Sequence, residues 1–280
     1  MKKPTRAVIA FQYVVLILAS IFALYPIWFI FLASGRLGNR LYSLNLVGMF
    51  IPVEFSLENY NTMLFEKPFL LWMKNSLFVA GTTTIACLLI ATSAAFAFSR
   101  FRFRGRELGL ILFLAIQAFP GVLALVPQAQ ILGALGLYRS HFGLILAYTS
   151  FTLVFCTWNL KGYFDTIPID LEEAGMIDGA GPVQSFLRIA LPLARPALAV
   201  TALFGFLSGW GEYVLASVLI PAPDTMKTVP VGMYSLATDQ SVPWGLFAAG
   251  ALMLLVPIML LFSFLQRFLE SGLTLGGVKG

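Results

Sequence analysis

The chain has 280 residues, of which 59% are hydrophobic and only 11% are charged. Soluble proteins average about 45–50% apolar and about 25% charged residues, so this chain has too few polar side chains to cover a surface in water. The composition excludes a soluble enzyme, a nucleic-acid-binding domain, a secreted disulfide scaffold and a disordered tail. It predicts an integral membrane protein, in which the net charge of +5 reports topology.

Rare residues limit the chemistry further. His141 is the one histidine, which excludes a histidine metal cluster or proton relay. Cys87 and Cys156 lie in apolar runs, where we expect them to pack as small hydrophobic side chains. The sequence contains no nucleotide-binding P-loop, zinc-protease or nucleophile-elbow pattern. We therefore expect no catalytic residue, metal or cofactor on this chain.

Charge-free apolar stretches predict six transmembrane helices, because a bilayer core about 30 Å thick needs roughly 20 apolar residues. The stretches are continuous rather than alternating, which favours helices over a barrel. The predicted spans are Ala7–Gly35, Asn75–Ser99, Leu108–Tyr138, Ser140–Leu160, Pro196–Pro223 (interrupted by Glu212) and Gln240–Gln266. The first span is too long for a signal-peptide core and is interpreted as a retained anchor.

The distribution of Lys and Arg predicts that both termini are cytoplasmic. In that orientation twelve of the 18 basic residues lie in cytoplasmic segments, as the positive-inside rule requires. They include the arginine run from Arg100 to Arg106, for which a lipid or nucleic-acid site is a weaker alternative. The outer segments hold the other basic residues, which are Arg36, Arg40, Lys67, Lys74, Arg139 and Lys227.

The long inner loop, 161–195, predicts two short helices. Asp170 is expected to cap a helix beginning at Leu171, with Glu173 completing a capping box. Gly181-Pro182 then ends that helix and opens a second. Either the protein's own bundle or a groove on a partner has to cover the apolar side chains of these helices. Those side chains are Leu171, Ala174, Ile177 and Phe186.

The same loop carries a spaced motif. It consists of Glu173-Ala174-Gly175, three residues, Gly179, nine residues and Ile189-Ala190-Leu191-Pro192. This motif resembles the EAA loop of ABC importer permeases, with Gly175 in place of that loop's second alanine. Segments 158–168, 206–213 and 272–280 are similar to the carbohydrate, maltose-type branch of that family. The resemblance extends from Trp72 to the end, and residues 7–71 match only in outline.

The resemblance implies an all-α type I importer permease in the cytoplasmic (inner) membrane of a bacterium or archaeon. Residues 1–71 would form an anchor helix and first outer loop, 72–270 the transmembrane domain, and 271–280 a cytoplasmic tail. The implied partners are membrane lipid, a second homologous permease, two ATPase subunits that bind ATP and Mg, and an external sugar-binding protein. The implied cargo is a sugar such as maltose or maltodextrin.

The resemblance also assigns roles to particular residues. An ATPase subunit would dock on the motif residues Glu173, Ala174, Gly179, Ile189, Leu191 and Pro192. The tail residues Gly276, Gly277 and Lys279 would reach between the two ATPase subunits, although a frayed terminus without a role is the alternative.

Glu212 and Trp210 are candidates for a translocation path. A buried acid is costly unless it is paired or hydrated, so Glu212 faces a water-filled path or a partner, or it is a helix-end acid that reaches the outer surface. Trp210 would stack on a sugar ring or lie at the membrane interface. The pattern Gly205-x-x-x-Gly209 suits close helix contact.

Pro120 and Pro127 are expected to break the third span and free backbone carbonyls. Gln117, Gln128 and Gln130 either answer those carbonyls, which we favour, or line a pore. Two other functions stay open, namely an ion-coupled carrier acting alone and an ABC permease for a non-sugar solute. A carrier needs paired ionisable groups in several spans, and a simple membrane anchor is disfavoured by the structured loop.

Overall fold

The computed structural model of the protein describes residues 5–36, 46–52, 54–237 and 242–276, with 46 and 270–276 by backbone alone. Within those ranges the chain is helical and has no strand. The first helices are α1 (Arg6–Ser34), α2 (Leu46–Phe50), α3 (Glu58–Asn61), α4 (Phe69–Arg100), α5 (Arg106–Ala118), α6 (Leu125–Ala134) and α7 (His141–Phe164). They are followed by α8 (Asp170–Ile177), α9 (Pro182–Ser185), α10 (Leu191–Leu193), α11 (Arg195–Trp210), α12 (Val214–Leu219), α13 (Val229–Tyr234) and α14 (Trp244–Gly276).

Four of the described helices are long and apolar enough to cross a membrane, which confirms the expectation of a helical membrane protein. They are Arg6–Ser34, Phe69–Arg100, His141–Phe164 and Trp244–Leu269. Two bent pairs pass the same test together, so the described residues hold up to six candidate spans. The pairs are Arg106–Ala118 with Gly121–Ala134, bent by 93°, and Pro182–Leu193 with Arg195–Trp210, bent by 74°.

The expected break in the third span occurs at Pro120 and not at Pro127. Phe119 has an extended backbone (φ −74°, ψ 129°), which is the conformation that a following proline favours. A 3₁₀ turn, Gly121–Ala124, then leads into α6. Pro127 lies in the first turn of α6, where a backbone N–H has no helical partner in any case, so its missing donor breaks nothing.

The fifth predicted span, Pro196–Pro223, is not one helix. The helix α11 ends at Trp210 and α12 begins at Val214. Glu212 stabilises this restart, because its Oε1 accepts a hydrogen bond from the Leu215 N–H (2.7 Å) and its Oε2 accepts one from the Ala216 N–H (3.0 Å). A side-chain oxygen that accepts the first free N–H groups of a helix acts as its cap, so the acid occupies a break between two helices.

The chain divides into two compact units, and the first comprises Met1–Phe69 and Met233–Val256. The most apolar stretch of 18 residues in α1 has no buried residue, as expected for a helix surrounded by lipid rather than by water. At its end, Asn59 donates hydrogen bonds to the carbonyls of Ser34 (2.9 Å) and Arg36 (2.8 Å). The rings of Phe31 and Phe55 stack with centroids 4.9 Å apart.

The second unit comprises Leu70–Gly232 and Pro257–Gly280, and α4, α7 and α11 pack closely within it. A methyl group at Gly209 would lie 3.3 Å from the Ala80 Cα atom, so the predicted role of the glycine pattern in close helix contact is confirmed. Cys87 and Cys156 are buried and free, as expected. A core cluster contains both cysteines together with Ala91, Ala95, Phe96, Leu160, Phe164, Ile167, Ala190, Ala194 and Ala197.

The segment 224–229 is tied to the N-terminal end of α4. Trp72 Nε1 donates a hydrogen bond to the Asp224 carbonyl (2.9 Å), and Asn75 Nδ2 donates to the carbonyls of Thr225 (2.9 Å) and Lys227 (3.0 Å). Trp72 is 1% exposed. These contacts join residues that lie about 150 positions apart in the chain, so α4 holds this loop in addition to the loop's own 3₁₀ turn, Asp224–Met226.

Candidate functional site

The loop that carries the motif forms a compact knuckle, which we define as residues 165–194. The expected cap on α8 is wrong, because the helix begins at Asp170 itself and Ile169 precedes it with a helical backbone (φ −64°, ψ −29°). The Ile169 carbonyl accepts hydrogen bonds from the N–H groups of Glu172 (2.9 Å) and Glu173 (3.0 Å). Asp170 therefore lies inside the first turn, where a negative charge favours the positive end of the helix dipole.

Gly179 ends α8 with a left-handed residue. Its φ is +91°, and the Ala180 N–H donates to the Gly175 carbonyl (2.9 Å) while the Gly179 N–H donates to the Met176 carbonyl (3.0 Å). These two bonds form the Schellman motif, which needs a left-handed residue where the chain leaves the helix. Gly179 therefore provides the local bend at which the chain leaves α8. A Cβ atom there would meet nothing within 4 Å.

The other motif residues hold the knuckle together. A Cβ atom on Gly175 would collide with the end of the Ile189 side chain, so glycine at this position lets the two halves of the motif touch. A π turn, Phe186–Ala190, immediately precedes Leu191-Pro192, since the proline ring does not fit a regular preceding turn. Ala190 is fully buried, and Ile189, Leu191 and Pro192 are half-buried.

Several apolar side chains of the knuckle are exposed. Glu173, Ala174 and Gly179 all lie on the exposed surface of the knuckle, and Ile177 is 87% exposed. Of the apolar residues expected to need a cover, Phe186 packs against its own chain, with its ring centroid 4.6 Å from that of Phe96. The exposed apolar side chains are Ile169, Leu171, Met176, Ile177, Val183 and Leu187.

The knuckle also holds a buried ion pair that no local sequence pattern predicts. Arg100, the last residue of α4, donates from Nε to Glu172 Oε1 at 2.7 Å, and the two side chains are 9% and 4% exposed. Arg100 also donates to the Ile167 carbonyl (2.9 Å) and to Ser99 Oγ (3.0 Å). Removing one partner of such a pair leaves a buried charge and destabilises by about 3–5 kcal/mol.

Asp165 extends this network to the end of α7. Ser99 Oγ donates to Asp165 Oδ1 (2.6 Å), and Lys161 Nζ donates to Asp165 Oδ2 (2.6 Å). Burial raises the pKa of the Asp165 carboxyl, but the hydrogen bonds from Lys161 and Ser99 and the charges of Lys161 and Arg106 outweigh burial and lower the pKa below its ordinary value. The carboxylate is therefore held in its charged form.

A cavity of about 570 Å³ lies beside Glu212 in the second unit. Tyr148 donates a hydrogen bond from its hydroxyl to Glu212 Oε2 at 2.6 Å, so one carboxylate caps α12 and binds a phenol from α7. The cavity walls are mostly apolar with a few polar side chains, which is typical of small-molecule sites. The lining residues are Gln117, Gly121, Val122, Leu125, Tyr148, Phe151, Thr152, Phe155, Ser208, Glu212, Val214 and Leu215.

The two candidate path residues differ in their surroundings. Glu212 lines the cavity, whereas Trp210 is 3% exposed and stacks on Phe206 with centroids 5.1 Å apart. Trp210 is not among the residues that line this cavity. Gln117 lines the cavity as well, which agrees with the pore-lining alternative.

Comparison with protein families identifies the chain. Residues 16–275 match the family described as "Binding-protein-dependent transport system inner membrane component". The chain belongs to this family. It is therefore a multi-pass membrane permease component of an ABC importer, which confirms the resemblance drawn from the loop motif.

Several relatives of this permease are sugar permeases by name. It is 37% identical to the galactooligosaccharides transport system permease protein GanQ of Bacillus subtilis, over 96% of this chain and 95% of that protein. It is 38% identical to the maltodextrin transport system permease protein MdxG of the same organism, over 96% and 95%. It is 41% identical to the maltose/maltodextrin transport system permease protein MalG of Vibrio vulnificus, over 81% and 78%.

A solved structure supports the fold of the permease. The crystal structure of a bacterial ABC transporter involved in the import of the acidic polysaccharide alginate contains a chain that matches with a TM-score of 0.75. The match covers 95% of the permease and 99% of that chain at 24% identity.

The predicted tail lies at the limit of the described residues. The helix α14 continues through Gly276, beyond Arg267 where the sixth span was expected to close. Gly277 and Lys279 lie outside the described residues, and the role expected for this tail stays a prediction.

Proposed function

We propose that this permease is one of two homologous membrane subunits of an ABC importer that moves a maltodextrin-type or related oligosaccharide into the cell. It spans the membrane six times with both termini in the cytoplasm, and α5 with α6 forms the third span while α11 with α12 forms the fifth. Two copies of an ATPase bind ATP and Mg on the cytoplasmic side, and a sugar-binding protein delivers the cargo outside. The named substrates of relatives at 37–41% identity support a sugar as cargo.

The exposed apolar side chains of the knuckle carry this proposal. Ile177 and Val183 are 87% and 69% exposed although the same segment is anchored by a buried ion pair. An anchored element with an uncovered apolar face suits a groove on a partner protein. Glu173 and Gly179 lie on the knuckle surface, and we assign the ATPase contact to them.

The cavity beside Glu212 suits the translocation path of the same permease. Its volume of about 570 Å³ is within the range of small-molecule sites. Tyr148, Ser208 and Gln117 offer hydrogen-bonding groups, and Phe151 and Phe155 offer ring faces to a sugar. Trp210 stacks on Phe206, and neither ring lines this cavity, so we assign the path to Glu212 rather than to Trp210.

Purification from native membranes tests the proposal. The tagged permease, extracted in mild detergent, should bring down a second permease and an ATPase subunit. The complex is reconstituted in proteoliposomes that hold ATP in the lumen, and loaded binding protein is added outside. These vesicles should take up radiolabelled maltotriose or a galactooligosaccharide. Transport by the permease alone down an ion gradient would establish the carrier alternative, and uptake of a non-sugar solute alone would refute the assignment of a sugar.

A further inference from the structure

The guanidinium group of Arg100 attaches α8 to the end of α4. Arg100 is the last residue of α4, and its Nε–H meets Glu172 in the first turn of α8 while its Nη2 meets the carbonyl of Ile167 just before that helix. A planar guanidinium donates in fixed directions. The contact therefore fixes the rotation of α8 as well as its distance from α4.

The neighbouring residues Glu172 and Glu173 point in different directions at the start of α8. Glu172 is 3% exposed, directed at Arg100, while Glu173 lies on the knuckle surface. Consecutive residues of a helix are about 100° apart around its axis. A rotation of α8 that frees Glu172 from Arg100 would therefore also turn the surface that carries Glu173.

The same end of α4 is joined to the end of α7. Ser99 donates to Asp165, which also accepts from Lys161. Apolar contacts such as that of Phe186 with Phe96 are non-directional and tolerate rotation. The polar contacts are the ones that define orientation.

We propose that Arg100 and Glu172 are positioning residues that make α8 move as one body with the C-terminal end of α4. This inference rests on the proposed function, because the orientation of α8 matters only if its exposed surface binds an ATPase. A buried ion pair adds little net stability over apolar packing of the same volume. Its contribution here is the direction in which the docking surface faces.

The test combines a local measurement on the permease with a functional measurement on the co-purified complex, both in lipid nanodiscs. A spin label at Ile177→Cys reports the mobility of the knuckle, and because Ile177 belongs to the proposed docking surface, the label is attached to the permease alone and ATP hydrolysis is measured on the unlabelled complex. Cys87 and Cys156 are buried and do not compete for the label. The second measurement is the stimulation of ATP hydrolysis by binding protein loaded with maltotriose. The variants are Glu172→Gln, Glu172→Ala and Arg100→Lys, with Arg102→Gln as the matched control.

We expect the label to become more mobile and the stimulation to fall at least tenfold in Glu172→Ala, while the ATPase still co-purifies. Arg100→Lys keeps the positive charge but not the planar set of guanidinium donors, so its label mobility and its ATPase stimulation should lie between those of the wild type and Glu172→Ala. Arg102 is exposed, and Arg102→Gln should match the wild type in both measurements. Glu172→Gln retains an acceptor oxygen and serves if Glu172→Ala does not insert; it should show the same changes to a smaller degree.

Two results would overturn the inference. One is unchanged label mobility in Glu172→Gln and Arg100→Lys, and the other is increased mobility with full stimulation. If the wild-type permease brings down no ATPase, the proposed function fails instead. The label mobility of the permease alone then still decides whether Arg100 and Glu172 hold α8.

Discussion

Replacing Gly179 with asparagine, alanine or valine separates two reasons for a glycine at this point of the knuckle. If glycine is needed for its positive φ of +91°, substitutions rank by the cost of the left-handed conformation. That cost is about 1–2 kcal/mol for a residue with a Cβ atom, and it lowers the population of the Schellman turn at the end of α8 about 5–30-fold. Asparagine adopts this conformation more readily, and a β-branched residue is a strong outlier there.

The assay is the initial rate of maltotriose uptake by the complex in proteoliposomes, normalised to the permease inserted. The expected order is glycine, then asparagine, then alanine, with valine inactive. Steric clashes of the new side chain within the permease do not decide this order, because a Cβ atom at Gly179 meets nothing within 4 Å. Membrane insertion should be unchanged in all three variants, since Gly179 lies outside every candidate span among the described residues.

A different order would refute this reasoning. If alanine transports well while asparagine and valine fail together, volume against a partner surface decides, and the left-handed turn does not. Normal uptake by Gly179→Val would also remove the coupling role proposed for this residue.

Four further results are expected. Glu173→Ala should abolish import in the same uptake assay with insertion intact, because the side chain lies on the knuckle surface. Glu212→Gln should preserve the fold, as judged by thermal unfolding, but weaken uptake, because one of the three donors around the carboxylate loses its acceptor. Unchanged uptake kinetics across several sugars would argue against a role of Glu212 in the translocation path. Deleting Gly276–Gly280 should leave assembly intact but abolish ATPase stimulation by loaded binding protein, and full stimulation would make the tail dispensable. The pKa of the Asp165 carboxyl is lowered, so the contribution of Asp165 to stability is complete above its ordinary pKa near 4 and is lost as the pH falls through the lowered pKa. The melting temperatures of Asp165→Asn and the wild type should therefore differ at neutral pH and converge in acid.

The sequence predicts those features that depend on local composition. Long apolar runs, the break at Pro120 and the corner at Gly181-Pro182 follow from hydrophobic length and from the backbone limits of proline. The close packing at Gly209 was also predicted, because the lack of a side chain is itself the cause.

The features that were missed depend on residues far apart in the chain. Arg100 was counted as a topology charge, and no local pattern links it to Glu172, which is 72 positions away. The break after α11 was missed because Glu212 looked like an acid inside a span, whereas it caps α12. Asp170 was assigned as a cap because residue type alone does not reveal that Ile169 already has a helical backbone.

The helix α4 is held at both of its ends. At one end Trp72 and Asn75 grip the loop 224–229, and at the other Arg100 grips the knuckle. Its 32 residues span about 48 Å, and the hydrogen bonds along a helix resist stretching. One continuous helix therefore joins the loop 224–229 to the knuckle, and an axial force on one of them reaches the other through the backbone hydrogen bonds of α4 rather than through a relay of side chains.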